Sequence, residues 1–163
     1  MKQLLQQYAA YNVWANQKLF DCISNLSDDQ INREITSSFS SIFKTIQHMW
    51  FAEYVWFQRL KLLEQIDYSV NDFDGSFAEM LKKYSQQSAD WVSWVDNATE
   101  PQIAHVFAYQ NTKKEQFKQP VYEMLMHLFN HGTYHRGQLV MMLRQLGVEK
   151  IPPTDFIVYC RKK

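Results

Sequence analysis

Apolar residues in the first quarter of the chain recur mostly at spacings of three and four. From about Lys2 to Leu26 they are Leu4, Leu5, Tyr8, Tyr11, Ala15, Leu19 and Cys22. That period predicts an amphipathic helix. Ser27-Asp28-Asp29-Gln30 follows with the spacing of a capping box and predicts a short helix to about Arg33. A second long helix is expected to start after Ser38 or Ser40. It carries Ile42, Phe43, Ile46, Met49, Trp50, Tyr54, Phe57, Leu60 and Leu63 on a wide apolar face. Asp67 to Gly75 reads as loop. Ser76-Phe77-Ala78-Glu79 is a second capping box. It opens a third helix with Met80, Leu81, Tyr84, Ser88, Trp91, Val92 and Val95 inward, ended by Asp96 to Pro101.

The pattern changes between Gln102 and Gln119. Ile103 to Tyr109 has strand composition, Asn111-Thr112 offers a turn, and Lys114 to Lys118 alternates weakly, so a small hairpin is expected. Pro120 suits the first position of a fourth long helix, which runs to about Leu146. Gly147 suits the position just past its end, and Arg144 suits the dipole of its last turn. Pro152-Pro153 argues against helix there, and Phe156 to Tyr159 reads as a short extended tail over the core. The reading is all-α: a four-helix bundle in one domain, residues 1–163, with a small hairpin or irregular crossover before the last helix.

Composition sharpens this picture. The chain has 163 residues, 46% of them hydrophobic, enough for one real core. Four glycines and four prolines are few, as long helices require. Seventeen basic and seventeen acidic residues give a formal net charge of 0. That balance argues against a broad nucleic-acid face. Lys113-Lys114, Lys118 and Arg161-Lys162-Lys163 form only small basic groups. The first residues lack the long apolar run of a signal peptide, and no stretch approaches a membrane span. Cys22 and Cys160 form no CxxC pair, so two free thiols in a cytoplasmic protein are expected.

Three of the five histidines stand at His127, His131 and His135, each four residues from the next. On a helix they form a stripe. His131 and His135, one turn apart, have the spacing of two helical metal ligands. The residues between them are Gly132-Thr133-Tyr134, so the glutamate of an HExxH motif is absent. His48 lies in a mainly apolar segment, where a histidine needs a partner, and is the natural third ligand. Three histidines over eight residues rise about 12 Å, too far for one ion to take them all. One end of the stripe must do something else, and the spacing leaves open which. His127 could stand behind a ligand or pair with Glu123. His105, on the expected hairpin, reads as exposed.

Four stretches carry a family resemblance: Tyr11-Asn12-Val13-Trp14-Ala15-Asn16, Ser41 to His48, His127 through Gln138, and Leu143 to Gly147 with Pro152 and Asp155. With them the chain resembles the DinB-like (YfiT-type) four-helix metalloprotein superfamily, which despite its name is unrelated to the translesion DNA polymerase. The resemblance implies a metal triad of His48, His131 and His135, with His127 outside it. It implies an up-down-down-up bundle, a homodimer, and a divalent ion such as zinc or nickel. Some related enzymes transfer or isomerise groups using bacillithiol, mycothiol or glutathione. The function implied is a divalent-metal-dependent, low-molecular-weight-thiol S-transferase acting on a small molecule. Alternatives are a metal-dependent hydrolase and a metal-binding protein without turnover. Three imidazoles leave a divalent ion an open position, the arrangement of catalytic sites.

Other residues take more modest expectations. Tyr8 and Asn12, four apart, could line the site or pack, and Asn16 reads as structural with a definite hydrogen-bond partner. Glu53, five residues from His48, points about 140° away from it around a helix. Arg136 reads as an ion-pair partner for a neighbouring helix or subunit, or as a grip for a substrate carboxylate. Gly132 and Gly137 mark places where a helix or ligand comes close.

Overall fold

Four long helices carry the structure: α1 (Lys2–Ile23), α3 (Ile42–Leu60), α4 (Phe77–Asn97) and α6 (Val121–Gln145). Between and after them lie α2 (Asp28–Asn32), α5 (Glu100–Ala104), the strands β1 (Val106–Gln110) and β2 (Gln116–Pro120), and α7 (Phe156–Cys160). This computed structural model describes residues 1–161; Lys162 and Lys163 of the terminal basic group lie outside them. α1 packs against α4 and α6, and α3 packs against the same two, so α1 and α3 face each other diagonally. β1 and β2 form an antiparallel hairpin, with Val106 opposite Pro120 and Gln110 opposite Gln116. The fold is thus the expected bundle with a hairpin ahead of its last long helix.

Local chemistry sets most boundaries. Ser27 and Ser76 cap α2 and α4, each inside a complete capping box. α3 begins after Ser41, not after Ser38 or Ser40, because Ser41 is the residue that accepts the Lys44 N–H. A third capping box, Thr99 with Gln102, opens α5, so Ile103 is helical and the first strand starts only at Val106. Pro120 is extended, closing β2 and preceding α6 rather than starting it. Gly147, at φ 81°, ends the run past α6 as expected. Within the expected loop, Ser69–Asp72 forms a single 3-10 turn held by Gln47, whose Nε2 donates to the Val70 and Asn71 carbonyls.

Phe156 to Tyr159 is helical rather than extended. α7 docks on α1: Phe156 meets Tyr11 edge-on at 5.1 Å, and the Tyr11 hydroxyl donates to the Thr154 carbonyl at 2.7 Å. A single turn is marginal alone, and this aromatic contact supplies what its own length cannot.

The core is layered. One apolar layer gathers Leu19, Ile42, Ile46, Met80 and Leu139; the other gathers Leu5, Trp91, Val95, Leu125 and Phe129. Between them lies a buried polar knot. Glu53, 3% exposed, accepts hydrogen bonds from Asn12 Nδ2 (2.9 Å), Ser88 Oγ (2.7 Å) and the Tyr84 hydroxyl (3.3 Å). Arg136, 2% exposed, donates to Asn12 Oδ1 at 2.6 Å, Asn16 Oδ1 at 2.9 Å and Thr133 Oγ1 at 2.8 Å. Asn16 in turn donates to the Tyr84 hydroxyl. Among the described residues Arg136 therefore makes no direct ion pair of the kind expected. Its charge meets that of Glu53 through the amide of Asn12. Burial raises the Glu53 carboxyl to about 7, against the pull of Ser88, Asn12, Tyr84 and the Arg136 charge.

Gly132 makes room for this knot. A Cβ there would sit 2.8 Å from Asn12 Oδ1 and 3.1 Å from Arg136 Nη1. Gly132→Ala is expected to lower the unfolding free energy by about 1–3 kcal/mol, measured by urea unfolding. A second expectation follows from Glu53. Its folded value of about 7 lies above its ordinary 4.5, so its stabilisation is full below about pH 4.5 and is lost as pH rises through 7. Relative to Glu53→Gln, the parent protein should lose about 3 kcal/mol between about pH 4.5 and pH 8. Parallel stability profiles would show that Glu53 is ionised throughout.

Candidate metal centre

α3 supplies His48, and α6 supplies His131 and His135 on adjacent turns of the face packed against α3. His131 Nε2 lies 3.1 Å from His48 Nε2 and 3.0 Å from His135 Nε2. The three donors, one per residue, lie within 4.8 Å of one another and could hold a metal ion. His135 is buried, and His48 and His131 are half-buried. Bonds of about 2.0–2.1 Å at tetrahedral angles put nitrogen ligands about 3.4 Å apart. The two short spacings are of that order, so the donor set fits a divalent ion.

Protonation favours the same conclusion. Burial, reinforced by repulsion from His135, pushes His48 down to about 4. Burial and the neighbouring histidines push His131 down to about 3. His135 is lowered too, by burial, with Gln138 opposing. All three rings are then neutral at pH 7, the form in which imidazole binds metals. His135 Nδ1 lies 2.7 Å from Gln138 Oε1, which can only accept, so Nδ1 carries the proton and Nε2 keeps its lone pair. Gln138 is itself fixed, its Nε2 donating to Ser38 Oγ (2.8 Å) and to the Tyr134 hydroxyl (3.2 Å). Phe39, in the loop before α3, stacks on His48 with centroids 4.2 Å apart and lies 5.7 Å from the His135 ring.

His127 stands apart. Its ring is 5.9 Å from that of His131 and packs edge-on against Trp56 at 5.6 Å; burial lowers its pKa. It is not among the converging donors. Tyr8 stacks on Tyr11 and bonds Asn130, while Asn12, Asn16, Glu53 and Arg136 belong to the central knot. Glu53 thus faces away from His48, as its rotation on the helix requires. His105 is exposed, and Cys22 and Cys160 are half-buried free thiols. Gly137 has no close neighbour for a Cβ to meet. The sequence reading missed two supports, Gln138 and Phe39. Gln138, three residues after His135 on one helix, was within reach of a spacing argument. Phe39 lies in a loop, where no period marks it.

Among the described residues no helix is long and apolar enough to cross a membrane.

Comparison with known proteins agrees with this architecture. The family model described as "DinB family" matches residues 1–162. "Protein DinB" of Bacillus subtilis (strain 168) is 31% identical, the match covering 91% of this chain and 89% of that protein. The crystal structure of a DinB-like protein from Bacillus cereus ATCC 10987 superposes with a TM-score of 0.72 at 21% identity, covering 91% of this chain and 94% of that one. At that identity the second likeness speaks for the fold.

Metal analysis of the purified protein should find about one divalent ion per chain, since the three histidines make one site. His48→Ala, His131→Ala and His135→Ala should each abolish that stoichiometry, and His127→Ala should keep it. Gln138→Ala should weaken metal affinity about 10–100-fold by freeing the His135 ring. Full metal content in any triad variant would refute the assignment.

Proposed function

This chain belongs to the DinB family, and we propose that it uses a zinc or nickel ion, held by His48, His131 and His135, to transfer a group to or from a low-molecular-weight thiol. The observation that carries the reading is the convergence of three neutral imidazoles from two helices. A divalent ion there would act as a Lewis acid, lowering the pKa of a group in its open position.

The residues around the triad favour a thiol over water as that group. Among the described residues no carboxylate hydrogen-bonds to the three histidines. Glu53, the buried carboxyl on the same helix as His48, is engaged by Asn12, Ser88 and Tyr84. A hydrolase would have to ionise water, a far weaker acid than a thiol, on the ion alone, with no carboxylate base beside it. A thiol, near 8.5, needs far less. The chain's own part is to hold: Gln138 orients His135, and the Phe39 ring shields the His48 face from water. Homodimerisation belongs to the same proposal; Tyr134 and Met141, seven residues apart on α6, leave large apolar surface exposed.

The test is a screen of electrophiles with the metal-loaded protein, with and without bacillithiol, mycothiol or glutathione. Consumption should require a thiol and the metal and should vanish in His135→Ala. Turnover with water alone would establish the hydrolase instead, and no turnover with any pair would leave a metal-binding protein.

A further inference from the structure

Arg59 stands in the last turn of α3, only 8% exposed. Among the described residues its side chain makes no hydrogen bond and no ion pair, and its Nε is buried without a partner. Arg136, similarly buried, also leaves its Nε without a partner but bonds three acceptors through its two Nη atoms, where Arg59 bonds none. What Arg59 does have is ring faces: its guanidinium lies 4.7 Å from the Trp56 ring centroid and 5.6 Å from that of Tyr109. A guanidinium cannot shed its charge. Ring faces offset part of the cost of burying it, but they satisfy none of its in-plane N–H donors. The helix dipole explains a cation at this end of α3; it does not explain an Nε buried without an acceptor.

Arg59 lines a cleft of about 730 Å³ between the end of α3, the segment 62–71 and the hairpin, a volume suited to a small molecule. Phe51, Leu62, Tyr68 and Tyr109 give it apolar walls, and Lys114, on the hairpin turn, adds a second positive charge. Glu64 is the one acid on its wall and pairs with neither cation. We propose that this cleft is a binding site for a small organic anion. Its carboxylate or phosphate oxygens would take the free N–H donors of Arg59, and its flat apolar body would lie against the aromatic wall. None of the three histidines lines the cleft. Arg59 is eleven residues beyond His48, a rise of about 16 Å along the helix, so the site does not depend on the metal.

Calorimetric titration with benzoate, phenyl phosphate and the neutral benzamide tests this directly. Both anions should bind at one site per chain, and benzamide should not saturate. Chelator-treated protein should bind benzoate as the metal-loaded protein does. Arg59→Gln should weaken anion binding about ten-fold or more, and Lys114→Ala, on an exposed turn, about two- to three-fold. The stronger of the two probes identifies the natural ligand as a carboxylate or a phosphate. Absence of saturable binding, equal binding of benzamide, loss of binding on chelation, or unchanged affinity in Arg59→Gln would each overturn the proposal. Should Arg59→Gln fail to fold, unchanged affinity in Lys114→Ala overturns it.

Discussion

The bundle depends on one buried contact, the amide of Asn12 held between the Glu53 carboxylate and the Arg136 guanidinium. Through it and its neighbours Asn16, Tyr84 and Ser88, all four long helices meet in a single polar layer. Burying a carboxyl and a guanidinium costs several kcal/mol each before their partners offset it. A slip of one residue in any helix would strand a donor or a charge between two apolar layers. The knot therefore selects one register. Arg136 adjoins His135 and Gly132 adjoins His131, so satisfying the knot also fixes the face that α6 turns toward His48. Glu53 and His48, about 140° apart on α3, divide the labour: one points to the bundle centre, the other to the groove with α6.

The candidate metal centre follows from that register and from two additions outside it. Partial burial keeps the imidazoles neutral, and Gln138 on α6 and Phe39 in the loop before α3 fix the His135 and His48 rings. An ion between them would bridge α3 and α6 where the packing is otherwise three mutually facing ring nitrogens. Binding of an ion there would therefore stabilise the packing of that helix pair.

What could be read from the sequence was what is decided locally. The capping boxes at Ser27 and Ser76 were legible because serine and its partner lie three residues apart. The equivalent box at Thr99 was masked by the strand-like run that follows it. α7 was misread because its helix depends on docking against Tyr11, a contact 145 positions away in the chain, rather than on its own period. Helical rotation placed Glu53 away from His48 correctly, yet could not reveal that Asn12 and Arg136 would meet it, since that is a property of packing. The histidine spacing requires that the stripe divide; the family resemblance points to His131 and His135, and the fold brings those two, not His127, together with His48.

A site of this geometry would share one ion between imidazoles of two helices. X-ray absorption at the edge of the bound metal measures this most directly. The account predicts about three imidazole nitrogens at about 2.0–2.1 Å. A first shell of two or fewer imidazoles, or one dominated by carboxylate oxygen, would contradict it.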